Sequence, residues 1–202
     1  MRVFSLLAII ILFQSGGPHL GYEPRSGDVV FHTSRSTESM AIQKATNSPY
    51  SHMGIVYVRD GKPLVFEAVE PVKLTLLDDW VRRGEDGRFV VKRLADADRL
   101  LTPEALSRMV EVAKPFEGKH YDPCFEWSDE RMYCSELVWK IFKRALGIEV
   151  GELQTISELD LSDPVVQAKV RERWQEGPPP DQRVISPGEM FASKRLVTVY
   201  EN

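Results

Sequence analysis

Short apolar blocks separated by turn-forming residues set the rhythm of this chain. Asp28 to Phe31 is a compact apolar strand, and Ser36 to Thr46 reads as a helix opened by Ser and Thr, with Glu38 in its first turn. His52 to Val58 is strand-like, Arg59-Asp60-Gly61-Lys62 carries an Asp-Gly turn, and Pro63 to Ala68 returns, which together predict a β-hairpin. Leu76 to Arg83 reads as a short helix and Arg88 to Leu94 as another strand. Thr102-Pro103-Glu104 puts proline in the first turn of a helix running to about Lys114. The strongest helical signal is Cys134 to Leu146: Leu137, Val138, Ile141, Phe142 and Ala145 recur at helical spacing, and Gly147 stops it. Another helix is expected from Pro164 to Gln175, then the Pro178-Pro179-Pro180 linker and a last strand from Leu196 to Tyr200. Strands and helices come in runs rather than strict alternation, which predicts an α+β fold with a mostly antiparallel sheet.

One apolar block is of a different kind. Val3 to Phe13 is an almost unbroken apolar run of 11 residues, preceded by Met1-Arg2 and followed by Ser15, Gly16, Gly17 and Pro18. It is too short to cross about 30 Å of hydrocarbon as a helix and has the layout of a secretory signal peptide, without an Ala-x-Ala-like triplet at the cleavage position. The expectation is a signal peptide over residues 1–17 and one domain over 18–202, exported, with a bacterial periplasm as its destination. An uncleaved N-terminal anchor is the alternative. No Cys follows the run, so a lipoprotein anchor is excluded.

Composition narrows the function classes. The 202 residues are 43% hydrophobic and 28% charged, which suits a globular domain rather than a disordered or fibrous chain. The net charge is −4, and loss of Arg2 with the signal segment leaves 25 basic against 30 acidic residues, −5. That balance argues against a nucleic-acid partner. The mature chain has no second long apolar segment, so no stable membrane insertion is expected after cleavage. Two cysteines are too few for a disulfide framework or a four-ligand zinc site, and no metal or cofactor is implied.

Cys134 is the first candidate for chemistry. It stands where a helix begins, where unpaired N–H groups and the positive end of the helix dipole favour a thiolate. It could equally be a buried structural thiol, or pair with Cys124 as a disulfide in an oxidising compartment. A nucleophilic thiol needs a base and the base needs an orienting acceptor. His19 lies beside the expected cleavage region, His32 ends the first strand, and His120 falls in a loop. His52 opens the first hairpin strand. Pairing Val58 with Pro63 sets His52 opposite Val69, with Glu67 two positions along, so His52 and Glu67 can meet diagonally. Glu67 is flanked on both sides by apolar residues, and a carboxylate there needs a partner.

The segments Gly118-Lys119-His120-Tyr121-Asp122 and Tyr133-Cys134-Ser135-Glu136-Leu137-Val138-Trp139 resemble the nucleophile region of the NlpC/P60 papain-like cysteine peptidases. Tyr50-Ser51-His52-Met53-Gly54 precedes the Cys helix here, whereas in that family the Cys comes first, so the order is circularly permuted. Together with Gly27-Asp28-Val29-Val30-Phe31, Ser34-Arg35-Ser36 and Val65-Phe66-Glu67-Ala68, the stretch from about Gly27 to about Ser193 resembles the YiiX-like branch of the permuted group. His120 stands where proline is common in NlpC/P60 motifs. The resemblance implies a papain-like sheet packed against helices that include the nucleophile helix. It further implies Cys134 as nucleophile, His52 as general base, Glu67 as the group orienting it, and Tyr121 at the oxyanion or the substrate cleft. The substrate class it implies is a small amide or isopeptide such as a peptidoglycan stem peptide. Permuted relatives of the lecithin:retinol acyltransferase type add an acyltransferase or thioesterase reading, which predicts an apolar groove. A module that binds an amino acid or peptide without turnover is the third reading.

The remaining polar clusters read as surface. Asp78-Asp79 and Glu85-Asp86 belong to helix and turn surface, Arg171-Glu172-Arg173 to a solvated helix face, and Ser34 and Ser36 to helix capping more than to a pocket. Phe125, Trp127 and Trp139 are expected in the core, with a cleft wall as the alternative.

Overall fold

A computed structural model describes residues 21–202. The expected signal segment, and the first residues of the expected domain, lie outside the described residues. The first half runs β1 (Val29–His32), α1 (Thr37–Thr46), β2 (His52–Arg59), β3 (Lys62–Glu67), β4 (Lys73–Leu76), α2 (Leu77–Arg82), β5 (Val90–Leu94), α3 (Ala97–Leu100) and α4 (Pro103–Ala113). The second half runs β6 (His120–Tyr121), β7 (Arg131–Met132), α5 (Cys134–Leu146), β8 (Gln154–Thr155), α6 (Pro164–Arg173), β9 (Arg183–Val184), α7 (Pro187–Ala192) and β10 (Leu196–Glu201).

Six strands form one antiparallel sheet in the order β10-β5-β1-β2-β3-β4. The β2–β3 hairpin turns on Asp60 and Gly61, both with positive φ (50° and 73°), the geometry of a type I′ turn. That turn sets the register, with Val58 opposite Pro63 and Ile55 opposite Phe66. On its other edge β2 pairs with β1, which puts His52 directly beside His32.

Both faces of the sheet are covered, which is why its strands read as continuous apolar runs rather than alternating ones. Val29, Phe31, Ile55, Tyr57 and Phe66 pack against Met109 of α4 and Leu137, Ile141 and Phe142 of α5. Val30, Val56, Val65 and Val91 pack against Leu77 and Trp80 of α2 and against Phe89. The helix boundaries follow their caps. Ser36 accepts from the Ser39 N–H, Thr102 from Ala105, and Gly147 closes α5 in the left-handed region (φ 71°).

The structure departs from the sequence reading in several places. β4 is an edge strand of four residues, too short to show a period, and α2 begins one residue later than expected. His120 is in a two-residue strand paired in parallel with Arg131-Met132, not in a loop. α6 stops at Arg173. It lies against α1, and Arg173 is largely buried there and hydrogen-bonds Glu38, so this part of the helix is not a solvated face.

Candidate active site

Cys134 is the first residue of α5. Tyr133 before it is extended (φ −108°, ψ 164°) and offers no side-chain cap to the first-turn N–H groups. The helix start is instead anchored from outside. Ser135 Oγ donates to the Ile185 carbonyl at 2.7 Å, and the Ile185 N–H donates to the Tyr133 hydroxyl oxygen at 3.2 Å. Cys134 is buried and Cys124 half-buried; both are free thiols, so the disulfide left open by the sequence is not formed.

β2 starts at His52, and its Nε2 lies 2.7 Å from Glu67 Oε2 on β3. This is the diagonal contact that the hairpin register allowed. Gly54 lies between them on the same face. A Cβ there would run into Val65 and come within 2.8 Å of the Phe66 carbonyl, so only glycine lets β3 approach this closely. Glu67 has no exposed surface and its carboxylate is fully engaged: Thr75 Oγ1 donates at 2.6 Å and Arg83 Nη2 at 2.6 Å to both oxygens. Burial opposes the charge on Glu67, but the hydrogen bonds and charge of His52, with those of Thr75 and Arg83, hold its pKa down to about 2. Burial likewise opposes protonation of His52. Hydrogen bonding and charge attraction from Cys134 and Glu67 outweigh it and push the ring up to about 9. With Nε2 committed to Glu67, Nδ1 is the ring atom left for the thiol.

Packing holds the ring in place. Trp80 of α2 stacks near His52 (centroids 6.1 Å) and meets His32 edge-on at 4.1 Å. His32 donates Nδ1–H to the Thr33 carbonyl at 3.2 Å, and burial followed by the neighbouring His52 drives its pKa down to about 3, so it stays neutral. Thr75, Trp80 and Arg83 were missed by the sequence reading. The only signal was position: Trp80 lies on α2 and Arg83 caps its C-terminus, and Thr75 sits in the edge strand before that helix with no pattern of its own.

Two cavities meet at this point. One, about 740 Å³ including its mouth, is almost wholly apolar and runs between α1 and α6; Cys134, Phe125, Ala41, Val166, Val170 and Ile185 are among its walls. The other, about 1200 Å³ and more open, is polar and is lined by His52, Tyr121, Ser51, Arg83, Arg131 and Glu70 among others. Glu38 and Ile42 of α1 form part of both walls. Cys134 therefore faces the apolar cavity and His52 the polar one. Tyr121 is half-buried, and burial, with the charge of nearby Cys134, raises its hydroxyl well above the usual range, so it remains a donor. Ser36 caps α1 as expected, and Ser34 and Ser36 also line the polar cavity. Phe125 is a wall of the apolar cavity, whereas Trp139 is buried in the main core.

Comparisons with known proteins show the family and its fold. Residues 23–200 match the family described as permuted papain-like amidase enzyme, YaeF/YiiX, C92 family. The chain belongs to this family. It is 46% identical over 182 residues to the uncharacterized protein YiiX of Escherichia coli strain K12, covering 90% of this chain and 89% of that one. The crystal structure of metalloprotein yiiX from Escherichia coli O157:H7 superposes with a TM-score of 0.85 at 46% identity, covering 90% of this chain and 99% of that one. Membership bears out the papain-like α+β fold and supports a cysteine hydrolase of the amidase type. Among the described residues, no group of three or more His, Cys, Asp and Glu side chains is gathered closely enough to hold an ion.

Proposed function

We propose that this protein is an exported cysteine amidase in which Cys134 is the nucleophile, His52 the acid–base group and Glu67 the residue that orients it. The observation that carries the reading is the 2.7 Å His52–Glu67 contact, made by one ring nitrogen and leaving the other for Cys134. The sulfur of Cys134, paired with the His52 imidazolium, attacks the amide carbonyl carbon. The oxyanion is stabilised by the Cys134 N–H at the helix start and by the Tyr121 hydroxyl. His52 gives its proton to the amide nitrogen, the C–N bond breaks, and a free amine departs from a thioester on Cys134. Water then adds to the thioester with His52 taking its proton, which releases a carboxylate and restores the thiol. These are the roles of the serine triad in another chain order.

A peptide amide from the cell wall is the substrate class that suits an exported enzyme with a wide polar cavity. A second reading has an observation of its own. The apolar cavity walled by Cys134 is the groove expected of an enzyme that carries a lipid-like acyl group on its sulfur. A chain-length series of p-nitrophenyl acyl esters separates the two, because kcat/KM rises with chain length only if that cavity takes the acyl group.

The test of the shared mechanism is the pH dependence of iodoacetamide alkylation at Cys134, in wild type and His52→Ala, with the label located by mass spectrometry. A free thiol with a pKa of about 8.5 is scarcely ionised at pH 6, so the paired thiol should react about 10²-fold faster there than in His52→Ala. Equal rates at pH 6 would sink the reading and leave a binding module in its place.

A further inference from the structure

The polar cavity holds two arginines whose donors are not used up. Arg83 commits only Nη2 to Glu67. Its Nε and Nη1 have no hydrogen-bond partner among the described residues, and its side chain is 41% exposed where it lines the cavity. Arg131, exposed on β7, lines the same cavity and forms no ion pair among the described residues. The carboxylates that line this cavity are mostly committed elsewhere, although Glu38 Oε1 is buried without a hydrogen-bond partner. Glu70 accepts from His120 Nδ1 at 2.7 Å and from the Tyr121 N–H at 3.0 Å, and Glu38 pairs with Arg173 of α6. His52, which also lines the cavity, adds a third positive group below pH about 9. Such a cavity offers charge-assisted donors in excess of acceptors, and planar guanidinium groups match a carboxylate.

We propose that Arg83 and Arg131 form a subsite for a carboxylate on the amine side of the scissile amide. The amine half is assigned to this cavity because His52, which protonates the leaving nitrogen, lines it, while Cys134 faces the apolar cavity. This rests on the reading of Cys134 and His52 as the reacting pair. The substrate class is therefore an acylated amino acid, or a peptide whose leaving residue has a free carboxylate. Because one guanidinium touches both Glu67 and this subsite, carboxylate binding is linked directly to the group that orients His52.

Iodoacetate and iodoacetamide test the subsite, since they differ only in carboxylate against carboxamide. The rate ratio, iodoacetate over iodoacetamide at Cys134, should exceed that of a free thiol. It should fall about tenfold in Arg131→Met and again in Arg83→Gln, the effect of losing one partly exposed charge-assisted contact. A ratio unchanged in both variants overturns the proposal. A second measurement does not depend on thiol reactivity: calorimetry of Cys134→Ala with N-acetylalanine and N-acetylalaninamide. Tighter binding of the carboxylate, lost in Arg131→Met, is the expected result, and equal or absent binding of the two overturns the subsite. Failure of the catalytic reading looks different: slow iodoacetamide alkylation at pH 6 with the carboxylate preference intact.

Discussion

Glu67 and Glu136 both have no exposed surface, yet their surroundings drive their pKa values in opposite directions. Glu67 sits between β2, β4 and α2 with hydrogen bonds from His52, Thr75 and Arg83, and its pKa is held down to about 2 despite burial. Glu136, two residues after Cys134 on α5, has Lys140 Nζ at 2.7 Å, yet neither of its oxygens has a well-directed hydrogen-bond partner. Lys140 turns instead to the Ser128 carbonyl and to Asp129. Burial then wins, and Glu136 is pushed up to about 8 against the pull of the Lys140 ammonium. The difference shows that a buried carboxylate stays charged when its cationic partners also give it well-aligned hydrogen bonds. The charged one is also the one that touches the histidine.

Replacing each carboxylate should break the symmetry most clearly. Glu67→Gln removes the charge and replaces one of the two acceptor oxygens shared by His52, Thr75 and Arg83 with an NH2 donor. With Arg83 partly solvated, the loss should be about 2–4 kcal/mol by urea denaturation, with Cys134 alkylation at pH 6 falling alongside. Gly54→Ala attacks the same contact from the backbone, since its Cβ pushes β3 and with it Glu67 away from β2. A loss of about 1–3 kcal/mol is expected, and an unchanged alkylation rate would show that the close approach is not needed. Thr75→Val removes a single donor to Glu67 Oε1 and should cost about 1 kcal/mol by the same denaturation measurement. Glu136→Gln should raise stability at neutral pH, because the amide needs no proton to stay buried and Lys140 keeps Asp129 and the Ser128 carbonyl; urea denaturation checks the sign.

Stability measured against pH sharpens the contrast further. Glu67 has a folded pKa below its unfolded value near 4.5, so its contribution is present above that pH and is lost as the pH falls toward 2. Glu136 is shifted upward, so its protonated form favours the fold below pH 4.5 and that contribution is lost as the pH rises to about 8. His52 adds stability that is full below 6.5 and lost as the pH rises through about 9. Glu67→Gln should flatten the acid limb, and Glu136→Gln the slope between pH 4.5 and 8. If the variants leave the wild-type profile unchanged, the opposing shifts are wrong.

Much of the site was legible because it is built from local signals. The Asp60-Gly61 turn set the hairpin register and with it the His52–Glu67 diagonal. The helical spacing after Cys134 and the stop at Gly147 placed the thiol at a helix start. The awkwardness of Glu67 between apolar neighbours was itself the sign that it had a partner. Arg173 shows the limit of such reading. In sequence it belongs to a charged helix face, but α6 folds over α1 and brings it to Glu38. His120 was misread because its strand pairs in parallel with a segment eleven residues away and is only two residues long.

Apolar spacing, glycine and proline stops and caps act between residues a few positions apart, so chain order alone was enough to specify the hairpin, α5 and the residues at their tips. What completes the pair comes from farther along: β4 pairing delivers Thr75 to Glu67, and α2 brings Trp80 against His52 and, from its C-cap, Arg83 to Glu67. The apolar cavity exists only because α6 lies against α1 and the segment around Ile185 closes over the start of α5. A buried polar group takes its charge from whichever donors packing brings within 3 Å, and those neighbours are chosen by the assembled sheet and helices rather than by the residues beside it in the chain.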